Sequence, residues 1–399
     1  MRKKKILFAI NNFNIGGPQK SLLSLLYRLD YKKYDINLIV LTGEGSLLKY
    51  LPDKVNVIPI DPIVRYATLT PDNFISNTFK VIFSKNYKFA LPVFKRVFLG
   101  LIRRNMGKEK QKYWLKVRHL LPNLSDTFDV AIGVSGGTSM MYIADCVNAT
   151  KRVGWIRTDY RVLRRNHEID RQYFNKMDEI ISVSKSCKTI FLNIFPETKP
   201  KIKVMYNVSP FEMYKNIDAD TTSLEGTDST KLLTIARLDP NKGLDLAVKA
   251  LDILLKENYD IKWFFLGDGK YRKRLGKLIK QKGLQNNVFL LGFQFNTAAY
   301  IKECDIVVHP SRFEGKANAI DEAKYLRKPI ITTNFETVKE QIKHEYTGLI
   351  SEMDPKSLAE KIKVLIENKN LRDFFAKNLE LEDLNDDESL RIFNGILES

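Results

Sequence analysis

Asp305-Ile306-Val307-Val308-His309 runs into Ser311-Arg312-Phe313-Glu314-Gly315-Lys316-Ala317-Asn318-Ala319-Ile320-Asp321-Glu322-Ala323-Lys324, and this stretch decides the fold. The apolar run predicts a strand, and Ala317 to Leu326 has good helix composition. Glu314 and Gly315 then lie in the loop at the carboxyl end of a strand. Amides near Ala317 to Ala319 open a helix, with Glu322 about one turn inside it. In open α/β sheets ligands bind at such ends, where the unpaired N–H groups and positive dipole of a helix face an anion. A carboxylate on either side of that anion site suits a ligand with hydroxyls flanking a phosphate, such as a nucleotide sugar. Two glutamates at this spacing alone equally describe a loop residue and a solvated helix residue; the neighbouring motifs decide between these readings.

Lys231-Leu-Leu-Thr-Ile-Ala-Arg-Leu-Asp-Pro-Asn-Lys-Gly243 predicts a strand, then a loop carrying Arg237 and Lys242, then a helix over Leu244 to Leu255. Two cations in one strand-to-helix loop can neutralise a diphosphate, Arg as a planar fork and Lys as a point charge. Ile261-Lys-Trp-Phe-Phe-Leu-Gly-Asp-Gly269 predicts a second strand ending in a tight turn, and Val288-Phe-Leu-Leu-Gly-Phe293 a third. The ordered set Arg237, Lys242, Gly267, Gly292, Glu314 and Glu322 is far more specific than any member of it.

With these motifs the chain resembles the retaining GT-B glycosyltransferases of family 4, which carry a Glu-x7-Glu motif and a Gly/Ala-Arg-Leu…Lys-Gly loop. The likeness is most specific from Lys231 to Gly348. It implies an α/β fold, GT-B, with two Rossmann-like parallel-sheet domains facing a cleft. It further implies that Arg237 and Lys242 bind the donor diphosphate and that Glu314 holds hydroxyls of the transferred sugar. Glu322 would hold the ribose hydroxyls. Gly267, Gly315, Lys316, Ala317, Asn318 and Ala319 would contact sugar and phosphate, and Phe293 lies in the turn Gly292 to Gln294 that faces the base. Gly17 is the matching glycine of the N-terminal half. A non-catalytic binding protein on this fold would be expected to lose Arg237, Lys242 or Glu314, and all three are present. A phosphorylase-like or epimerase activity would call for a pyridoxal lysine or a different acid–base set.

At 399 residues the chain can bury two cores, and 44% hydrophobic with 28% charged residues is a globular composition. Cys146, Cys187 and Cys304 are scattered, as are the four histidines, so no metal-ligand spacing results. The apolar run after Met1-Arg-Lys-Lys-Lys5 ends at Asn11, shorter than a signal segment, and no run approaches the ~20 apolar residues of a membrane span. A cytoplasmic protein is expected, peripheral on the inner face of the membrane.

Strands are predicted over Lys5–Ile10, Ile36–Thr42, Val55–Ile60, Asp129–Ser135, Arg152–Ile156, Glu179–Ser184 and Ile202–Tyr206, with helical patterns between most of them. Asn14-Ile-Gly-Gly-Pro-Gln-Lys20 then sits between the first strand and a helix. Residues 1–206 form the expected acceptor domain, 207–230 a polar linker and 231–378 the nucleotide-sugar domain; residues 386–399 are a candidate to cross back onto the first.

From Arg65 to Leu121 thirteen cations face only two acids, Asp72 and Glu109, with Phe79, Phe83, Tyr87, Phe89, Phe94, Phe98, Leu99, Leu101, Tyr113 and Trp114 interleaved. Such a basic amphipathic surface can bind anionic lipid at about 1 kcal/mol per cation. The competing readings are a solvated helix pair packed on the domain, and nucleic acid. A membrane contact is the reading preferred here, and no nucleic-acid partner is expected.

On the acceptor side, Arg157 stands where many relatives of the resembled family have a histidine, with Asp159 two residues on. Arg157 cannot be a base, since arginine pKa values exceed ~12; it either holds an anion or makes a surface salt bridge to Asp159. The resemblance implies retention without a covalent intermediate, by front-side transfer from a nucleotide sugar, UDP-linked by family frequency, to a saccharide or lipid-linked acceptor. No Asp-x-Asp accompanies the donor motifs, so metal independence is expected and no cofactor is called for.

Overall fold

Parallel strands buried on both faces need near-continuous apolar runs, and this chain supplies them twice. The structure, a computed structural model, describes residues 2–14, 16–68, 87–102, 105–215, 224, 228–382 and 386–399. Two compact units emerge, 1–206 with 389–399, and 207–388.

In the first unit, seven strands form a parallel sheet: β1 Lys4–Ile10, β2 Tyr34–Val40, β3 Asn56–Val57, β4 Thr127–Gly133, β5 Asn148–Ile156, β6 Glu179–Ser182 and β7 Ile202–Val204. Their order is β3-β2-β1-β4-β5-β6-β7, so the winding direction reverses between β1 and β4. The strand expected over Val55–Ile60 shrinks to two residues. Ile58 still donates to the Leu38 carbonyl, but Pro59 has no N–H to continue the ladder. Conversely β5 begins four residues ahead of Arg152, because Asn148 to Lys151 pair alongside β4. The last helix, Asp387–Glu398, seals this unit through Phe393, which stacks at 6.1 Å on both Phe8 and Trp155. The Lys4 ammonium caps its end at the Leu397 and Glu398 carbonyls, both at 2.9 Å.

The second unit has six parallel strands: β8 Thr230–Ile235, β9 Ile261–Leu266, β10 Val288–Gly292, β11 Ile306–His309, β12 Ile330–Thr333 and β13 Leu349–Ser351. Their order is β10-β9-β8-β11-β12-β13, with the reversal between β8 and β11. Apolar layers cover both faces, one around Trp263, Leu251 and Ile362, the other around Ile320, Tyr300 and Phe335. Strands β12 and β13 are short and were not singled out in the sequence. They form because β11 offers an open edge that Ile330 to Thr332 complete in register.

Of the basic segment, Lys80, Lys85, Phe79, Phe83, Arg103 and Arg104 lie outside the described residues. Asp72 also lies outside them, and Lys88, Lys95, Arg96, Lys108, Lys110, Lys112 and Lys116 lie on the helices Tyr87–Ile102 and Met106–Val117. Phe89, Tyr113, Trp114 and Val117 belong to the core of the first unit, and the Trp114 indole donates to Asp145 at 2.9 Å. The one described acid, Glu109, is buried and pairs with Arg96 at 3.0 Å. Of the ten apolar residues expected on that surface, Phe89, Tyr113 and Trp114 are therefore interior. What remains outside is a stripe on the first helix: Leu91, Phe98 and Ile102, 76, 56 and 63% exposed, with Lys95 between them. No described helix is long and apolar enough to cross a membrane.

Candidate active site

A reversal of winding sends the loops after β8 and β11 to opposite faces of the sheet and leaves a crevice at the strands' carboxyl ends. Of the residues singled out from sequence, Arg237, Lys242, Glu314, Gly315 and Lys316 lie in those two loops. The loop after β8 holds Arg237 and a short turn, Pro240–Lys242, which Asp239 caps by accepting from the Asn241 amide at 3.0 Å. Gly243 then starts the helix Leu244–Lys256 with φ +64°, and its α-carbon lies so close to the Pro310 carbonyl that a Cβ would come within 1.8 Å. That contact draws the two loops together.

Arg312 fastens them. Its guanidinium takes both Asp245 oxygens at 2.9 Å and donates to the Pro240 carbonyl at 2.6 Å, while its amide donates to the Asn241 carbonyl at 2.8 Å. Lys242 consequently reaches Glu314, Nζ to Oε1 at 2.6 Å, and His309 Nε2 meets the same oxygen at 2.9 Å. Burial alone would raise the Glu314 carboxyl, but Lys242 and His309 outweigh it and hold the pKa at about 2. Oε2 of Glu314 takes no hydrogen bond from the described residues.

The other expected donor residues are placed differently. Arg237 is not drawn to Glu314; its side chain is 60% exposed and its nearest carboxylate is Asp239 at 3.6 Å. Gly267, with φ +135°, packs on the Ala236 carbonyl, where a Cβ would approach to 2.0 Å. Its lack of a side chain thus serves backbone packing between the β8 and β9 loops. The helix Asn318–Tyr325 opens after Ala317, whose amide is taken by Gln341 Oε1 at 2.9 Å; of the amides expected to face a ligand, this one is committed inside the protein. The same Gln341 donates to the Ala317 carbonyl and to Asp321, and Asp321 pairs with Lys316. Asn318 accepts from Asn207 at 2.7 Å, and Phe293 sits edge-on to Phe295 at 6.4 Å. Ala319 is buried in the first turn of the helix. Glu322 is buried and accepts from Thr297 and, at 3.4 Å, from Tyr214, whose hydroxyls are 2.8 Å apart.

In the first unit Gly17 begins the helix Gly17–Leu26, and a Cβ there would meet nothing within 4 Å. The surface salt bridge between Arg157 and Asp159 does not form. Asp159 is buried and bound by Arg161 at 2.6 Å. Arg157 donates to the Val134 carbonyl at 3.1 Å and to Ser21 at 2.9 Å, and lies 3.6 Å over the Trp155 ring. Burial lowers its pKa to about 9, so it stays charged at neutral pH and joins the ends of β4 and β5 to the first helix.

Sequence reading missed His309, Arg312, Gln341, Thr297 and Tyr214. The signal for His309 was available: a polar residue closing an apolar strand at the carboxyl end of a parallel sheet. For the others there was none, since each acts through a partner remote in sequence. Among the described residues no group of three or more His, Cys, Asp or Glu could hold a metal ion. One Asp-x-Asp does occur in the chain, Asp218-Ala219-Asp220, away from the donor motifs and outside the described residues.

Two parallel Rossmann-like sheets with cationic and carboxylate loops at the second switch point define the GT-B class of fold. Comparison agrees: the structure of the Staphylococcus aureus protein TarM with Fondaparinux, alpha-GlcNAc-glycerol and UDP superposes with TM-score 0.68 at 14% identity, covering 99% of this chain and 100% of that one. Anabaena HepE with UDP and glucose gives 0.69 at 18% identity, covering 99% and 100%. Residues 217–381 match the family described as glycosyl transferases group 1. In sequence the chain is 25% identical to the Campylobacter jejuni N-acetylgalactosamine-N,N'-diacetylbacillosaminyl-diphospho-undecaprenol 4-alpha-N-acetylgalactosaminyltransferase, over 71% of this chain and 74% of that one. It is 29% identical to an uncharacterised glycosyltransferase of Methanocaldococcus jannaschii over 53% of this chain. The chain spans a little over half the length of that relative and of a second from the same organism, 58% and 54%.

Proposed function

We propose that the protein is a retaining glycosyltransferase that moves a sugar from a nucleotide donor, UDP-linked, to a saccharide or lipid-linked acceptor in bacterial cell-surface polymer synthesis. One observation carries the reading: Lys242 and Glu314 meet at the switch point of the group 1 unit, with one Glu314 oxygen held and the other open. The open oxygen suits a sugar hydroxyl, and the ammonium beside it suits the departing diphosphate, which would itself take the acceptor's proton. A carboxylate held at about pKa 2 is a weak nucleophile, which favours front-side transfer over a covalent intermediate. Catalysis is then chiefly electrostatic preorganisation and positioning. The acceptor assignment draws on the undecaprenol-linked and poly(ribitol-phosphate) substrates named for relatives in Campylobacter and Staphylococcus.

A thermal-shift screen of nucleotide sugars tests the donor. A ligand at ~100 times its Kd stabilises by ~2.7 kcal/mol, and the largest shift is expected with a UDP-sugar. NMR of the product formed in EDTA should show the anomeric configuration kept; an inverted centre, or loss of turnover on metal removal, defeats that part of the reading.

The same protein is proposed to work at an anionic membrane surface, on the strength of the exposed Leu91, Phe98 and Ile102 beside Lys88 and Lys95. Co-sedimentation with phosphatidylglycerol-containing vesicles is expected at low salt. It should weaken as the Debye length falls from ~10 Å at 0.1 M to ~3 Å at 1 M salt. Replacing the three apolar residues by Ser should abolish pelleting while sparing donor hydrolysis. Wild-type protein left in the supernatant at low salt would make the stripe an ordinary solvated face.

A further inference from the structure

We infer that His309 is a positioning residue that fixes the Glu314 carboxylate so that its open oxygen is presented to a hydroxyl of the transferred sugar, an inference that rests on the nucleotide-sugar reading. His309 closes β11 and is 3% exposed. Its carbonyl accepts from Thr332 Oγ1 at 3.1 Å, and its ring packs edge-on against Phe335 at 6.0 Å. Nε2 is 2.9 Å from Glu314 Oε1, whereas Nδ1 is buried with no partner among the described residues. A proton on Nδ1 would be a buried donor without an acceptor, so the ring carries its proton on Nε2 and donates it to Glu314.

Both donors to Glu314, Lys242 and His309, converge on Oε1. Two hydrogen bonds to one oxygen fix the rotation of the carboxylate and leave Oε2 as a pre-aimed acceptor. Lys242 is the mobile member: an ammonium on a four-carbon stem that a diphosphate would attract. The imidazole, with two side-chain torsions and a packed ring, is the member that stays. His309 therefore keeps Glu314 in place while Lys242 divides its charge between carboxylate and phosphate.

Reach separates this role from mere packing. His309→Gln puts an amide N–H near the position of Nε2, while His309→Asn stops at the level of Nδ1, short of Glu314. Calorimetry with UDP, GDP and ADP and with their glucose, galactose and N-acetylglucosamine conjugates gives, for each protein, the affinity added by the sugar. For the pair that the wild type binds best, His309→Asn should lose that increment by about tenfold, a difference of about 1.4 kcal/mol. His309→Gln should keep most of it, and affinity for the parent diphosphate should stay within twofold throughout. Equal weakening of diphosphate and sugar conjugate in His309→Asn, like behaviour of the two variants, or an unchanged increment would each overturn the inference while leaving the donor reading intact. A wild type that binds none of these nucleotides defeats the donor reading itself, and the positioning role with it.

Discussion

Lys242→Ala will lower turnover of the nucleotide-sugar donor on the order of 10²-fold or more, as loss of a strong contact to developing charge does. Its ammonium is the cation that the structure brings to the carboxylate at the switch point, whereas Arg237 points outward with most of its side chain in solvent. Arg237→Ala should consequently cost less. Donor hydrolysis by purified, folded variants measures both, and near-normal turnover in Lys242→Ala would remove the diphosphate assignment. The same substitution has a signature in stability. Burial tends to raise the Glu314 carboxyl, yet Lys242 and His309 hold it at about 2, below the ordinary glutamate value of about 4.3. A folded-state value below the unfolded one means that ionised Glu314 adds stability above about pH 4.3, and that this contribution fades as pH falls through about 2. Without Lys242 the depression shrinks. The stability gap between wild type and variant should then be widest at neutral pH and narrow toward pH 2, as denaturant titrations at pH 7 and pH 3 would reveal. A gap that stays constant with pH would mean the ion pair contributes nothing.

Gly243→Ala will destabilise the second unit by about 3 kcal/mol. A left-handed conformation at φ +64° costs an L-residue about 1–2 kcal/mol, and forcing a methyl against the Pro310 carbonyl adds the 1–3 kcal/mol of overpacking. For a unit of this size that lowers the melting temperature by about 6–12 °C. Relief by backbone movement would pull the β8 loop from the β11 loop and part Lys242 from Glu314, so donor binding should weaken together with stability. Gly276 supplies the control: it lies within the helix Arg272–Gln281, and a Cβ there meets nothing within 4 Å, so Gly276→Ala should stabilise by about 0.5–1 kcal/mol. A Gly243→Ala protein that melts with the wild type would show that the loops are not locked at this point.

Sequence by itself determined the alternation of strands and helices, the loops that carry Arg237, Lys242 and Glu314, and the two-sheet class. These rest on signals within a dozen residues: apolar runs, glycines at turns, and helix composition after a strand. The tertiary structure alone decided which of those side chains meet. Lys242 and Glu314 are 72 residues apart, and their contact depends on Gly243 against Pro310 and on Arg312 bridging to Asp245. Strand order places β8 beside β11, although β9 and β10 come between them in sequence. The same non-local packing gave the Ala317 amide to Gln341 and set Thr297 against Glu322. Local patterns fix what each segment is, because propensity and capping act over one or two turns. Partner choice belongs to the sheet, because only closure of the core brings remote loops to within a hydrogen bond of one another.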